Sequence, residues 1–359
     1  MQSYMEVEIR KANPERYPEI IEVWEASVKA THHFLTEEDI HFFKSKMASE
    51  YLPSVDLYVT SLKEGEISAF MGLSPGKIEM LFVRPEYFGQ GTGSRLIEFA
   101  LRDFGIRKVD VNEQNPKALK FYMNRGFHVV SRDEADSSGK PFPILHMAYI
   151  KPEIVEYVER EIIPQYQGFD KAHQEDHVRM VIEQSMKLAE HIPALNTDMV
   201  YLIAAFHDLG LVNGRENHHA DSRKILEANT FIKSRFSEED VHIMGEAVED
   251  HRASSSHKPR SEYGLIVAEA DRFIDPETII RRTIQYGLSH YPELDSEGHF
   301  QRTILHLKEK YGPKGYLKVW VSWSDNAQRL KDLHRLIADE KQIREIFNRI
   351  YEEETDGYN

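Results

Sequence analysis

The chain contains no cysteine. That excludes a disulfide framework, a thiolate metal site and a cysteine nucleophile, so any metal ion must be held by His, Asp and Glu. No apolar run approaches the ~18 residues of a membrane span, and the opening MQSYMEVEIR lacks the apolar core of a secretion signal. The expected location is the cytoplasm, with no membrane partner. Basic residues are in deficit, with 45 Lys and Arg against 60 Asp and Glu and a formal net charge of -15. Phosphate backbones are gripped by clustered Lys and Arg, so a nucleic-acid polymer is not an expected partner. Also missing are a Gly/Ser-rich linker, an internal repeat and a low-complexity tract, which suggests two domains packed together rather than tethered.

A chain of 359 residues suits two domains of ordinary size. Residues 1–150 read as an α+β unit, a mixed central sheet flanked by helices. EVEIRKA, LYVTSLK, ISAFMGL, KIEMLFV, VDVNEQN, FHVVSRD and PILHMAYI are short runs rich in β-branched and aromatic residues. Between them, PERYPEIIEVWEASVKATHHF, GTGSRLIEFALRDFG and PKALKFYMNRGF carry helical spacing. Residues 151–359 read as all-α, with a motif core at about 165–280 and closing helices at 300–353. Of the 18 histidines, 13 lie in this second part. Its last apolar stripes (Leu330, Leu333, Ile337; Ile343, Ile346, Phe347, Ile350) complete a second core, with a homodimer contact as the alternative.

The stretch VRPEYFGQGTGSRLIEFAL is a strand, a glycine-rich turn and a helix start. Gly89, Gly91 and Gly93 permit positive φ and close backbone approach, so consecutive amides across Gln90, Thr92 and Ser94 can face an anion. The positive end of the helix dipole adds to that cradle, and a diphosphate is the ligand that fits it.

Together with NEQNPKALKFYMNRGF, ATHHFL and SSGKPFPILHM, this block resembles the GNAT superfamily of acyl-CoA N-acyltransferases over essentially all of residues 1–150. The resemblance implies acetyl-CoA as cofactor and an amine acceptor on a small molecule or peptide. It makes the strand Met80–Val83, through Leu81 and Val83, the partner of the pantetheine arm and the source of an oxyanion amide. It makes Tyr122 the acid that protonates the departing sulfur, and Asn115 a holder of the cofactor. Glu79, placed by alternation on the face of Leu81 and Val83, is the candidate base. The chain departs from the family at Phe88, where Arg or Gln usually opens the phosphate loop. His32 and His33 lie where such enzymes build the acceptor pocket.

In the second part, YLIAAFHDLG drives a greasy helix into His207 and Asp208, ~100° apart on a helix. A buried carboxylate is unfavourable unless paired or bound to a metal. His177 opens an amphipathic stripe in DHVRMVIEQSMKLAE. His251 extends the stripe Val241, Met244, Val248. Asp271 follows Val267 and Ala268 onto an apolar face, whereas Glu269 points elsewhere. Inward-facing His and Asp around a His-Asp pair form a metal-site composition.

The order His177, His207-Asp208, Asp271 resembles the HD superfamily of metal-dependent phosphohydrolases. The resemblance implies that these four bind one divalent ion (Mn, Fe, Co, Ni or Mg) and that the substrate is a nucleotide or other phosphorylated small molecule. HHADSRKIL further resembles the extra-histidine segment of HD proteins that bind two metals. His218 and His251 would then complete a six-residue set, with His219 as an alternative ligand. Arg252, Lys258 and Arg260 are either a phosphate-holding cluster or a solvated loop. The combined expectation is a bifunctional enzyme, an N-acetyltransferase joined to a phosphohydrolase. The rival keeps the transferase and makes the helical domain a structural or nucleotide-sensing module.

Overall fold

The short β-branched runs of the first half form one seven-stranded sheet: β1 (Glu8–Lys11), β2 (Asp56–Ser61), β3 (Ile67–Ser74), β4 (Lys77–Val83), β5 (Lys108–Asn112), β6 (Phe127–Asp133) and β7 (Ile144–Tyr149). The computed structural model describes residues 8–61, 65–169, 173–252, 257–272 and 274–356. The ends of two expected strands, Glu6–Val7 and Leu62–Lys63, lie outside those residues. Strand order is β1-β2-β3-β4-β5-β7-β6. All neighbours are antiparallel except β4 and β5, which run parallel and pair only at Lys77–Lys108 and Ile78–Val109. Met80–Val83 therefore has no ladder partner on its β5 side.

Strands β3 and β4 change register, pairing Leu73 with Ile78 and Gly72 with Met80. Glu79 is the extra residue of that bulge. This corrects the face expected from simple alternation: Ile78, not Glu79, shares the face of Leu81 and Val83.

Helices α1 (Tyr17–Thr31) and α2 (Glu37–Lys46) cover one side of the sheet, around Ile20, Val23, Trp24 and Phe70. Helices α3 (Thr92–Phe104) and α4 (Pro116–Met123) cover the other, around Leu96, Ile97, Ala100 and Tyr122. Sequence periodicity does not reveal α2. Its signature is a capping box, in which the Thr36 side chain accepts from the Asp39 amide at 3.1 Å and Asp39 answers the Thr36 amide.

The chain divides into two compact units, Met1–Val155 with Ala189–Asp198, and Glu156–Leu188 with Met199–Asn359. The first unit thus contains a short second stretch that a single join near residue 150 does not foresee. Lys108 holds it, donating to the carbonyls of Ala189 (2.7 Å), Glu190 (3.0 Å) and Ile192 (3.0 Å). Arg107 pairs with buried Asp198 at 2.8 Å.

Helices α5 (Pro152–Tyr157), α6 (Glu175–Ala189), α7 (Thr197–Phe206), α8 (His218–Ala228), α9 (Thr230–Lys233), α10 (Glu238–Glu249) and α11 (Glu262–Asp271) precede the closing group. That group is α12 (Pro276–His290), α13 (Ser296–Tyr311), α14 (Asn326–Ala338) and α15 (Glu340–Asp356). The last apolar stripes do complete a core: Leu333, Ile337, Ile343, Phe347 and Ile350 are buried, with Leu330 and Ile346 packed at its margin. Among the described residues no helix is long and apolar enough to cross a membrane.

Phe347 is fully buried, edge-on to Phe300 at 5.2 Å. Phe347→Ala is expected to destabilise the second unit by about 3–5 kcal/mol. Urea unfolding followed by far-ultraviolet circular dichroism would show this as an earlier loss of helical signal.

Candidate functional site

The candidate site residues form two groups, one in each unit. In the first, Gly89 and Gly91 take φ of +75° and +85°, with open space where a side chain would point. Gly93 differs from the expectation. It sits inside α3 without positive φ, and a Cβ there would lie 3.0 Å from the Phe121 ring, so close packing is what demands glycine. The Gln90 side chain turns back to the Glu86 carbonyl at 2.8 Å. Thr92 is buried.

Ser94 accepts from the guanidinium of Arg125, which stacks over Phe121 at 3.7 Å and donates to its carbonyl at 2.7 Å. A cation therefore stands at the first turn of α3, close to the end where Phe88, 44% exposed, occupies the customary basic position. Sequence reasoning missed Arg125. The available signal was its place four residues after Phe121 on a helical face.

On β4, Leu81 and Val83 pack toward α3 and α4, while Met80 and Phe82 pack toward α1. Tyr122 is 6% exposed and held edge-on between Phe121 and Phe127 at 5.2 and 5.5 Å. Burial pushes its phenol up, so it keeps its proton. The Asn115 side-chain oxygen caps α4 by accepting from the Ala118 amide at 3.1 Å. Glu79 is exposed and accepts from Ser74 Oγ at 2.6 Å. The His32 ring lies 6.2 Å from that of Phe82, and burial pulls its pKa down to about 4. His33 is exposed.

In the second unit the expected ligands converge. His177 comes from the first turn of α6, and His207 and Asp208 from the turn directly after α7. His218 opens α8, His251 follows α10 and Asp271 ends α11. Asp208 Oδ2 lies 3.3 Å from His207 Nε2 and 3.6 Å from His177 Nε2. Its other oxygen, Oδ1, lies 3.3 Å from His251 Nε2 and 3.6 Å from His218 Nε2. Asp271 Oδ1 approaches His177 Nε2 at 3.3 Å. The six fall into two triads, His177–His207–Asp271 and Asp208–His218–His251. Asp208 faces both.

Within each triad two imidazole nitrogens face each other, at 3.4 Å for His177 and His207 and 3.2 Å for His218 and His251. Three of the rings are fixed from behind. The Nδ1 atoms of His207, His218 and His251 meet the carbonyls of Ala204 (2.7 Å), Arg215 (2.8 Å) and Val248 (2.5 Å). A carbonyl can only accept, so Nδ1 carries the hydrogen in each. In the neutral rings the bare Nε2 then looks into the centre, the arrangement metal-ligating histidines use. The donor set thus fits divalent ions. His219, the alternative ligand, instead has its Nδ1 3.4 Å from Arg252.

Gly210 makes the crossing of the turn and α8 possible. A Cβ there would collide with the His218 carbonyl, and the Gly210 amide donates to Ser222 Oγ at 2.8 Å. Tyr166, fully buried, braces the same turn through the Ala205 carbonyl at 2.9 Å.

Two expectations are corrected here. Glu269 is fully buried, more so than Asp271, because Ser324 Oγ (2.5 Å), Asn326 Nδ2 (3.1 Å) and the Trp320 amide (3.1 Å) all donate to it. Arg260 is not free for phosphate. It is neutralised by Asp250, Glu249 and Glu246 at 2.7, 2.7 and 3.1 Å. Lys258 is exposed, and the intervening residues 253–256 lie outside those described. A further group in the first unit, Asp110, His146 and Glu190, has metal-like composition, but the Lys77 ammonium already neutralises Asp110.

Residues 54–129 match the acetyltransferase (GNAT) domain family, and residues 175–274 match the HD domain family. The chain is 37% identical to the peptidyl-lysine N-acetyltransferase YjaB of Salmonella typhimurium over 145 residues, covering 40% of this chain and 99% of the relative. The YjaB of Escherichia coli K12 gives 37% over 146 residues, covering 41% and 99%. The solution structure of apo YjaB from Escherichia coli aligns with a TM-score of 0.39 at 37% identity, over 41% of this chain and 99% of that one. The PaiA N-acetyltransferase of Thermoplasma acidophilum, solved with coenzyme A, aligns at 0.33 and 23% identity, over 40% and 100%.

Burial opposes charge on His177, but the facing carboxylates of Asp208 at 3.6 Å and Asp271 at 3.3 Å outweigh it and raise its pKa to about 9. A folded-state pKa above the ordinary ~6.5 stabilises the metal-free protein fully below pH ~6.5, and that contribution disappears as pH rises through about 9. The melting temperature of chelator-treated protein is therefore expected to fall between pH 6.5 and 9. Over the same window Mn²⁺ affinity should rise, because the metal must displace that proton. A metal affinity independent of pH would contradict this assignment.

Proposed function

The chain belongs to the GNAT acetyltransferases through its first half and carries an HD domain in its second, and from that premise we propose a bifunctional enzyme. The first site transfers acetyl from acetyl-CoA to an amine. The second hydrolyses a phosphate ester of a nucleotide or other small molecule. Both curated relatives at 37% identity bear the name peptidyl-lysine N-acetyltransferase. A lysine side chain on a peptide is thus the favoured acceptor.

In acetyl transfer the amine attacks the thioester carbonyl, whose oxygen gathers negative charge. The β4 backbone at Leu81–Val83, unpaired on its β5 side, is suited to receive the pantetheine arm and donate an amide to that oxygen. Tyr122, kept protonated by burial, donates to the departing sulfur. Glu79, exposed at the bulge, takes the amine proton through water. The α3 amides between Gly89 and Ser94 hold the diphosphate, while Asn115 shapes the wall by capping α4.

The single observation supporting the phosphohydrolase is Asp208, whose two oxygens each face a pair of imidazole Nε2 atoms. A divalent ion in each triad would supply an acidified water and charge for phosphate oxygens. His207, His218 and His251 are held ready by their backbone hydrogen bonds, and Asp271 completes the first triad.

Elemental mass spectrometry is expected to find two ions per chain, one after Asp271→Ala or His251→Ala, and none after Asp208→Ala. Asp271→Ala should abolish phosphate release and leave acetyl transfer unchanged. No metal after supplementation with Mn²⁺, Fe²⁺ or Co²⁺ would overturn the hydrolase. Tyr122→Phe is expected to lower kcat for acetyl transfer about 10²–10⁴-fold with little change in KM for acetyl-CoA, as a continuous thiol-release assay would show.

A further inference from the structure

Helix α13 carries Arg302, His306 and Lys310 at steps of four, so three basic side chains share one face. Several other cations of the second unit are paired with carboxylates, although buried Arg272 donates to the Ala268 carbonyl instead. Arg223 pairs with Glu227 and Glu249, Arg260 with Asp250, Glu246 and Glu249, and Arg281 with Glu353 and Glu354. Among the described residues, Arg302, His306 and Lys310 form no ion pair with a carboxylate.

The cations on this face are positioned by aromatic rings and backbone. Arg302 donates to the Thr283 carbonyl and lies 5.5 Å from the rings of Tyr286 and Tyr291, and its Nε is buried without a partner. Lys310 sits 5.1 Å from the Tyr311 ring, which is 6.2 Å from the ring of His306. Burial disfavours the Lys310 charge, yet the phenols of Tyr311 and Tyr316 and the carboxylate of Asp271 outweigh it and keep the ammonium protonated. The stripe ends at Lys310, one residue short of the end of α13.

Its position is fixed as well. Leu307 and Tyr311 pack in one core with Ile274, three residues past Asp271. The loop after α13 is fastened to α11 through Glu269, which accepts from Trp320 and Ser324. From Arg302 to Lys310 is eight residues, or about 12 Å of helix at ~1.5 Å per residue. That is longer than one phosphate group needs.

We infer that the Arg302–His306–Lys310 face of α13 is an anion-binding limb of the metal centre, and that the substrate is an oligophosphate ester whose further phosphates lie along it. This rests on the phosphohydrolase reading for the chemistry at the centre, but not for the binding of an oligophosphate to the limb. Arg302 and Lys310 each contribute a charge-assisted contact to phosphate oxygen, while His306, which burial and the neighbouring Lys310 and Arg302 hold neutral with a pKa of about 4, offers an uncharged N–H. The limb replaces, as the anion holder, the Arg260 that the sequence suggested and the fold commits to carboxylates.

The test is calorimetric titration of the metal-free full-length chain with tripolyphosphate, with saturating coenzyme A present to occupy the first unit's cradle. Wild type is expected to bind about one tripolyphosphate per chain and at least tenfold more tightly than orthophosphate. Lys310→Met and Arg302→Met should each weaken tripolyphosphate at least tenfold, while Lys310→Arg, which keeps the charge, stays within about threefold. Absence of tripolyphosphate binding by wild type, or equal binding by Lys310→Met and wild type, overturns the limb. Metal uptake by the same proteins after Mn²⁺ supplementation, read by elemental mass spectrometry, separates the two ideas. Metal without tripolyphosphate binding removes the limb alone. Tripolyphosphate binding by a chain that never takes up metal sustains the limb and removes the hydrolase.

Discussion

Asp208 is 3% exposed, so its charge has almost no water around it. An uncompensated carboxylate in that position would be strongly unfavourable, and the second unit is organised around compensating it. Four Nε2 atoms from four different chain segments surround its two oxygens. Each ligand sits at or next to a helix terminus, where backbone groups lack helical partners. His207 and His251 exploit this directly, since their Nδ1 atoms donate to the carbonyls of Ala204 and Val248 in the final turns of α7 and α10. One hydrogen bond thereby satisfies a helix end and aims a ligand.

The first unit solves a different chemical problem with different material. On the proposed reading a thioester oxygen and a diphosphate would both be met by backbone amides, and the features that suit this are places where the backbone is free: the unpartnered side of β4 and the turn at Gly89 and Gly91. Side chains enter singly, as a phenol kept neutral by burial and a guanidinium laid over Phe121. The second unit works the other way round, because polyvalent charge has to be matched by charged or metal-coordinating side chains.

The strands and most helices were legible because their signals are local. The short apolar run of ISAFMGL, buried along its whole length, and the helical spacing of GTGSRLIEFALRDFG survive whatever surrounds them. The candidate metal ligands were legible for a related reason, as polar residues at buried positions of otherwise apolar stripes. What was hidden depends on partners distant in sequence. Glu269 read only as pointing away from the Asp271 face, and the donors that bury it lie some fifty residues later in the chain. Arg260 read as a free cation until the fold brought three carboxylates to it. Glu79 was misplaced by a single inserted residue, since a bulge reverses a face without leaving a mark in the sequence. Arg125 and α2 lay between these cases, carrying weak local signals.

The composition of the first unit bears on how this polypeptide can be taken apart. Because that unit draws on Met1–Val155 and again on Ala189–Asp198, no single cleavage of the chain releases it whole. A protein ending at residue 155 would keep Lys108 but lose the three carbonyls that receive its ammonium. It would likewise strand Arg107 without Asp198. Proteolytic dissection or recombination of the two halves therefore faces a joint crossed more than once. An interrupted unit of this kind can be transplanted only if the returning stretch travels with it.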